Sequence, residues 1–134
     1  MDPWRIIAAI VASSVLASIT DWLFMGVLFH DRYSLHPEVW RGDRKDARRI
    51  LLSQLVGVIA CAGFVWLCLL FPHLLRFYLK AAFAAWLAAS VPMLIQNGLW
   101  MKLHPLILAS HAVGWLMRFL ITALACSFFI LPPA

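Results

Sequence analysis

The sequence predicts an all-α membrane protein, in which four transmembrane helices form an up-down bundle and a single domain over residues 1–134. Composition is the first observation: 64% of residues are hydrophobic, 13% are charged, and the mean hydropathy is +0.89. Soluble domains contain about 45–50% apolar and 25% charged residues. The second observation is that the apolar residues form four continuous runs, each longer than the ~20 residues that cross a hydrocarbon core. The third is that these runs lack the alternation of transmembrane β-strands.

The first apolar run covers about residues 4–29. It is too long for a secretory signal peptide and has no clear small-residue cleavage site, so we expect it to be retained as a span. Ser14, Ala17, Ser18 and Asp21 share one face of this helix. Small residues allow membrane helices to approach closely, so this face is predicted to pack against other spans.

A basic loop over residues 30–49 follows and holds six of the eleven Lys and Arg residues. Together with Lys102 in the third connection, its side of the membrane would carry seven cations. The other side would carry three, namely Arg5, Arg76 and Lys80. The positive-inside rule then places the loop in the cytoplasm and both termini on the opposite side of the inner (plasma) membrane. Attraction to anionic lipid accounts for the net charge of +5, so nucleic acid is not expected as a partner.

The remaining runs cover about residues 50–71, 77–101 and 106–131. The short connections between them favour antiparallel neighbours and hence an up-down bundle. Pro92 in the third run should kink its helix, because proline cannot supply a backbone N–H. The second run has a small-residue face suited to close packing: Ser53, Gly57 and Cys61.

Arg118 lies deep inside the fourth run, where a charge costs about 3 kcal/mol on insertion scales and needs a partner. Asp21 is the only acidic residue inside another run. At 1.5 Å per residue, Arg118 is about 20 Å and Asp21 about 13 Å from the cytoplasmic ends of their spans. Helical side chains lean toward their own N-terminus, so these two should converge. We predict an ion pair, which either fixes helix register or belongs to a working site.

Polar side chains are predicted to collect in the cytoplasmic half of the bundle, whereas the outer half is nearly pure hydrocarbon. His104, His111 and Arg118 recur every seven residues and therefore share one helix face, with Gly114 beside it as a point of close approach. This face should point inward, because lipid does not tolerate it. The set predicts a polar ligand-binding cavity that opens to the cytoplasm, although interhelical hydrogen bonds alone would use the same residues. The candidate ligand-binding residues are Asp21, His30, Gln96, Asn97, His104, His111 and Arg118.

No metal or cofactor is expected. His104 and His111 are about 10.5 Å apart along one helix, which is too far to share a metal ion. His30 and His111 could flank a cofactor such as haem from two helices. The chain has no HExxH or ExxH motif, which are typical of zinc and di-iron sites. A nucleophile elbow and a phosphate-binding glycine loop are also missing from the sequence, so catalysis has little support.

The first span ends in an aromatic segment, Asp21–Phe29 (DWLFMGVLF), which is followed by Trp40. The third and fourth spans are joined by Asn97–Pro105 (NGLWMKLHP), which leads to His111 and Gly114. In these segments the chain resembles a bacterial family of small four-helix integral membrane proteins of unknown function. The resemblance implies four helices and supplies no activity and no catalytic residue.

Three functions are compatible with the sequence. The preferred one is a non-enzymatic accessory or ligand- or lipid-binding module, with membrane lipid, a second copy or a larger membrane protein as its partner. The second is an oligomeric proton-linked transporter of a small molecule that uses the predicted ion pair and His111. The third is a membrane-embedded lipid-modifying enzyme, with His30, Asp31 and His104 near the headgroups.

Overall fold

The computed structural model of this protein describes residues 2–35, 47–71 and 74–130, and the regular elements in these ranges are all helices. Residues 36–46, most of the predicted basic loop, lie outside the described residues. Four helices are long and apolar enough to cross a membrane, by length and composition. This confirms the predicted fold class, with helix ends shifted by up to three residues. The four are Pro3–Leu28, Ala47–Leu69, Leu75–Trp100 and Pro105–Phe129.

The first span begins with helix α1, Pro3–Trp22. Asp2 caps this helix, because its Oδ1 accepts a hydrogen bond of 3.0 Å from the backbone N–H of Trp4. Pro3 occupies the first helical position, where the backbone N–H has no partner within the helix. Because proline has no N–H, it costs no hydrogen bond at this position. The start of the first span is therefore fixed by local sequence.

A π-helical turn, Leu23–Leu28, completes the first span. Its wider geometry appears in the 2.9 Å hydrogen bond from the N–H of Phe29 to the carbonyl of Phe24, five residues earlier. Such turns are rare and often occur at functional sites. The short helix α2, His30–Leu35, follows it, and α3, Ala47–Leu69, forms the second span. The predicted loop over 30–49 is thus helical at both of its ends.

A second π-helical turn divides the third span. Helix α4 covers Leu75–Ala85, the π turn covers Trp86–Ser90, and α5 covers Val91–Trp100. Pro92 lies in the first turn of α5, where its missing N–H removes a bond from the regular α-helical ladder. The irregularity expected at this proline takes the form of a π turn directly before it.

Helix α6, Pro105–Phe129, is the central helix and contacts α1, α3, α4 and α5. His104 caps it, since its Nδ1 accepts a hydrogen bond of 3.2 Å from the N–H of Leu106. The indole Nε1 of Trp86 donates to the carbonyl of Ala112 at 2.8 Å. This bond ties the π turn of the third span to the middle of α6.

The apolar core lies at one end of the bundle, where α1 and α4 begin and α3 and α6 end. We refer to it as the terminal end, and to the opposite end as the loop end. This meeting of helix starts and helix ends shows that successive spans run antiparallel. Small side chains prevail in the core, as expected where membrane helices pack closely. The most buried members are Ala9, Val65, Cys68, Tyr78, Ala82, Ala123 and Cys126.

Candidate functional site

A cavity of about 290 Å³ lies between α1, α3 and α6 toward the loop end. Two of its wall residues on α3, Ser53 and Val56, are exposed on the surface of the span. The cavity therefore has a side opening where α3 would meet lipid. The wall combines charged, hydroxyl, imidazole, aromatic and apolar groups: Asp21, Phe24, Met25, Ser53, Val56, Gly57, Ser110, His111, Gly114, Trp115 and Arg118.

Asp21 and Arg118 form an ion pair in this wall. The Nη2 of Arg118 donates to the Oδ2 of Asp21, which joins α1 to α6 across 97 positions of sequence. The predicted pair between the first and fourth spans is therefore confirmed. The Arg118 side chain is 8% exposed and the Asp21 side chain 26%, so the carboxylate is the more accessible partner.

Three other residues surround the guanidinium group of Arg118. Its Nη1 lies 3.7 Å from the Sγ of Cys61, and its Cζ lies 5.6 Å from the ring centroid of Trp115, a cation–π contact. A Cβ atom at Gly57 would lie only 2.6 Å from Nη1. Glycine at this position thus lets α3 approach the charged group closely.

Helix α1 contacts α6 at Gly114, which was predicted as a point of close approach. A Cβ atom there would lie 3.5 Å from the Oδ1 of Asp21, so the carboxylate rests over this glycine. On the same face of α1, Ala17 is fully buried. Ser18 donates to the Oε1 of Gln54 on α3 at 2.5 Å. The small-residue face predicted for the first span therefore packs against two helices.

The structure brings three of the seven predicted site residues together in the cavity wall, namely Asp21, His111 and Arg118. His111 is half-buried and lies on α6 one helical turn before Trp115. The ion pair and this imidazole form the polar centre of the cavity. Hereafter we refer to this space as the Asp21–Arg118 cavity.

The other four predicted residues lie outside the wall of this cavity. His104 serves as the cap of α6, and His30 is exposed at the start of α2. On α5, Gln96 is exposed and Asn97 is half-buried. The π turn before α5 has a wider repeat than an α-helix, which shifts the face that later residues present. The cavity wall therefore comes from three of the spans.

The sequence prediction missed Trp115 and Ser110 as wall residues and assigned Ser53 only to helix packing. A signal for Trp115 was present, because residues three and four apart on a helix are neighbours. Trp115 lies four residues after His111 and three before Arg118. The contribution of α3 had no comparable signal, since nothing in the sequence shows that a second helix besides α1 faces Arg118.

The wall of the cavity offers both polar and apolar contacts to a molecule inside it. The described residues contain no group of three or more His, Cys, Asp or Glu side chains that could hold a metal ion. The wall supplies a paired carboxylate, an imidazole and two serine hydroxyls for polar contacts. Phe24, Met25 and Val56 supply apolar surface beside them. Such a mixed wall suits a molecule with both polar and apolar parts.

The fold and the site together define the class of protein: a multi-pass membrane protein with a charge pair in the wall of a cavity inside its helical bundle. The chain matches no protein-family model, no curated protein and no solved structure. Its function therefore has to be argued from the cavity itself.

Proposed function

We propose that this protein is a non-enzymatic membrane module that binds a small polar or amphipathic ligand, such as a lipid, in the Asp21–Arg118 cavity. The observation that carries the proposal is that the ion pair borders open space of about 290 Å³. A pair that only fixes helix register needs its polar atoms enclosed by partners. Here the Asp21 side chain is 26% exposed beside an open cavity. Intramembrane charges of this kind commonly mark ligand sites.

The side opening of the cavity supports a ligand that reaches the site from the bilayer. Val56 at the opening is 59% exposed on the surface of the second span. Ser53 lies about 9 Å from the start of α3, at 1.5 Å per residue. This depth is close to the boundary between headgroups and acyl chains. A lipid could place its polar end in the cavity while its chains stay in the membrane.

We further propose that the protein resides in the inner (plasma) membrane with residues 30–49 in the cytoplasm and both termini on the opposite side. The support is the distribution of Lys and Arg, seven on the loop side against three on the other. In this orientation the Asp21–Arg118 cavity lies in the cytoplasmic half of the membrane.

Helix α5 supports the proposal that the protein works as an oligomer or with a larger membrane protein. None of its residues is buried. Gln96 is exposed within the span, and a polar amide in lipid is costly unless it is hydrogen-bonded. A second copy or a partner helix over α5 would cover this surface. We also propose that the chain belongs to the small four-helix family that its sequence resembles.

A proton-linked transporter is the second candidate function. It is favoured by His111 and the partly exposed Asp21 in one cavity, since both are groups that exchange protons. Four helices are few for alternating access, so transport would require association of protomers. The lipid-modifying enzyme has less support, because His30 and His104 lie outside the cavity wall.

Native mass spectrometry of the protein in mild detergent tests ligand binding and oligomeric state together. We expect a bound small molecule on the parent protein and its loss from Ser53→Trp, which blocks the opening. Ile59→Trp is the matched control, because it places the same side chain on α3 at a position that is 70% exposed and outside the cavity wall. An adduct that is equal in all three proteins contradicts the proposal, as does its absence from parent protein reconstituted with total lipid extract.

A further inference from the structure

The oxygen atoms of Asp21 and Ser53 in the wall of the Asp21–Arg118 cavity can accept hydrogen bonds from a ligand. An ionised carboxylate has several lone pairs and no proton to donate, and that of Asp21 is partly exposed. The Oγ of Ser53 donates to the carbonyl of Ile50 at 2.8 Å. Its proton is thus used within its own helix, and its lone pairs remain for a ligand. The Oγ of Ser110 likewise donates its proton to the carbonyl of Ile107 in its own helix.

The charged hydrogen-bond donor of the wall is less accessible than these acceptors. Arg118 is the strongest donor, but its side chain is only 8% exposed. Its Nη2 is engaged by Asp21, and its Nη1 lies against Cys61 and Gly57. A ligand that donates hydrogen bonds therefore fits better than one that only accepts them.

The charges of the wall favour a ligand without net charge. Asp21 and Arg118 neutralise each other, so an ionic ligand would be taken out of water without a counter-charge of its own. The face of Trp115 would suit a cation, but the guanidinium of Arg118 already lies over it. Anionic and cationic head groups are both disfavoured by this arrangement.

We propose that the ligand is a neutral amphiphile with a free hydroxyl group, of the acylglycerol or long-chain alcohol class. This inference rests on the proposed function. The hydroxyl donates to the carboxylate of Asp21 and to Ser53, and the first part of the chain lies against Phe24, Met25 and Val56. The remaining chain leaves through the side opening into the bilayer.

The decisive comparison is between dioleoylglycerol and its methyl ether, in which a methyl group replaces the hydroxyl proton. Binding is measured by native mass spectrometry of the full-length protein in detergent as each lipid is titrated. We expect the alcohol to bind about tenfold or more tightly than the ether, because the ether leaves the carboxylate without a donor. Ser53→Trp should abolish binding of the alcohol, and Ile59→Trp should preserve it. Ser53→Ala, a milder change, should reduce the preference for the alcohol over the ether.

Three further compounds separate this inference from the proposed function. Phosphatidic acid and hexadecylamine supply a negative and a positive head group, and glycerol supplies free hydroxyls without a chain. Tighter binding of either charged lipid, lost in Ser53→Trp, overturns the neutral ligand and leaves the proposed function standing. Equal binding of alcohol and ether, or tight binding of glycerol alone, also overturns the inference. If Ser53→Trp changes the binding of none of these compounds, the proposed function fails with it.

Discussion

The two ends of the bundle are built in different ways. At the terminal end, Tyr78, Ala82 and Cys126 are fully buried, and the four spans meet in an apolar core. At the loop end, α1, α3 and α6 stand apart around a cavity, and His111 is only half-buried. Helix α6 runs through both regions, and Arg118 lies at the border between them. The difference indicates that close packing at one end holds the spans together, which allows open space around a charge pair at the other.

The largest expected effect is that of Asp21→Ala, which leaves Arg118 buried without a counter-charge. We expect a loss of about 3–5 kcal/mol in unfolding free energy, as for other broken buried pairs. Denaturation of the purified protein in detergent measures this loss. The control is the double variant Asp21→Ala with Arg118→Leu, which removes both charges and should recover most of the stability. If Asp21→Ala alone inserts and unfolds like the parent, the ion pair does not hold the first and fourth spans together.

Adding the same volume at each end compares the two regions directly. Ala82→Leu inserts three carbon atoms into the closed terminal end, where overpacking should cost about 1–3 kcal/mol. Ser53→Leu adds nearly the same volume at the cavity opening, where the expected change is within about 0.5 kcal/mol. Melting temperatures of the two variants, measured in one detergent, provide the test. Equal destabilisation by both substitutions would mean that the loop end is as tightly filled as the terminal end.

A smaller effect is expected from Gly57→Ala, which tests how closely α3 approaches the charge pair. The new methyl group would lie 2.6 Å from Nη1 of Arg118. Because Asp21 holds this guanidinium, its displacement should cost about 1–2 kcal/mol, as for other overpacked sites. Gly63→Ala is the matched control on the same helix, since a Cβ atom at that position meets nothing within 4 Å. Identical unfolding curves for the two variants would show that the contact at Gly57 is not restrictive.

The sequence was sufficient to predict the four spans and the Asp21–Arg118 pair. Length and hydropathy define a transmembrane helix, because the bilayer has a fixed thickness. The pair followed from depth and from the direction in which helical side chains lean. It also followed from scarcity, since Asp21 is the only acid within another apolar run. These properties require only the direction in which each span crosses the membrane, and not the rotation of one helix against another.

The remainder of the site depended on helix rotation, which the sequence does not specify. Gly57 was predicted as a packing residue, but its contact with Arg118 requires that α3 turns this position toward α6. Gln96 and Asn97 were predicted as site residues because they lie in the cytoplasmic half of the third span. They follow the π turn Trp86–Ser90, however, and lie outside the cavity wall. An α-helical wheel cannot anticipate such a turn, because it assumes a constant number of residues per turn.

The separation of Asp21 and Arg118 by 97 positions has a consequence for biosynthesis. A ribosome delivers the first span to the membrane long before the fourth is made, so the carboxylate must wait there without its partner. We expect the early intermediate to keep Asp21 protonated or near water, because an unpaired charge in lipid is costly. Arrival of Arg118 then completes the bundle. A chain truncated before the fourth span would retain the uncompensated acid in its first span.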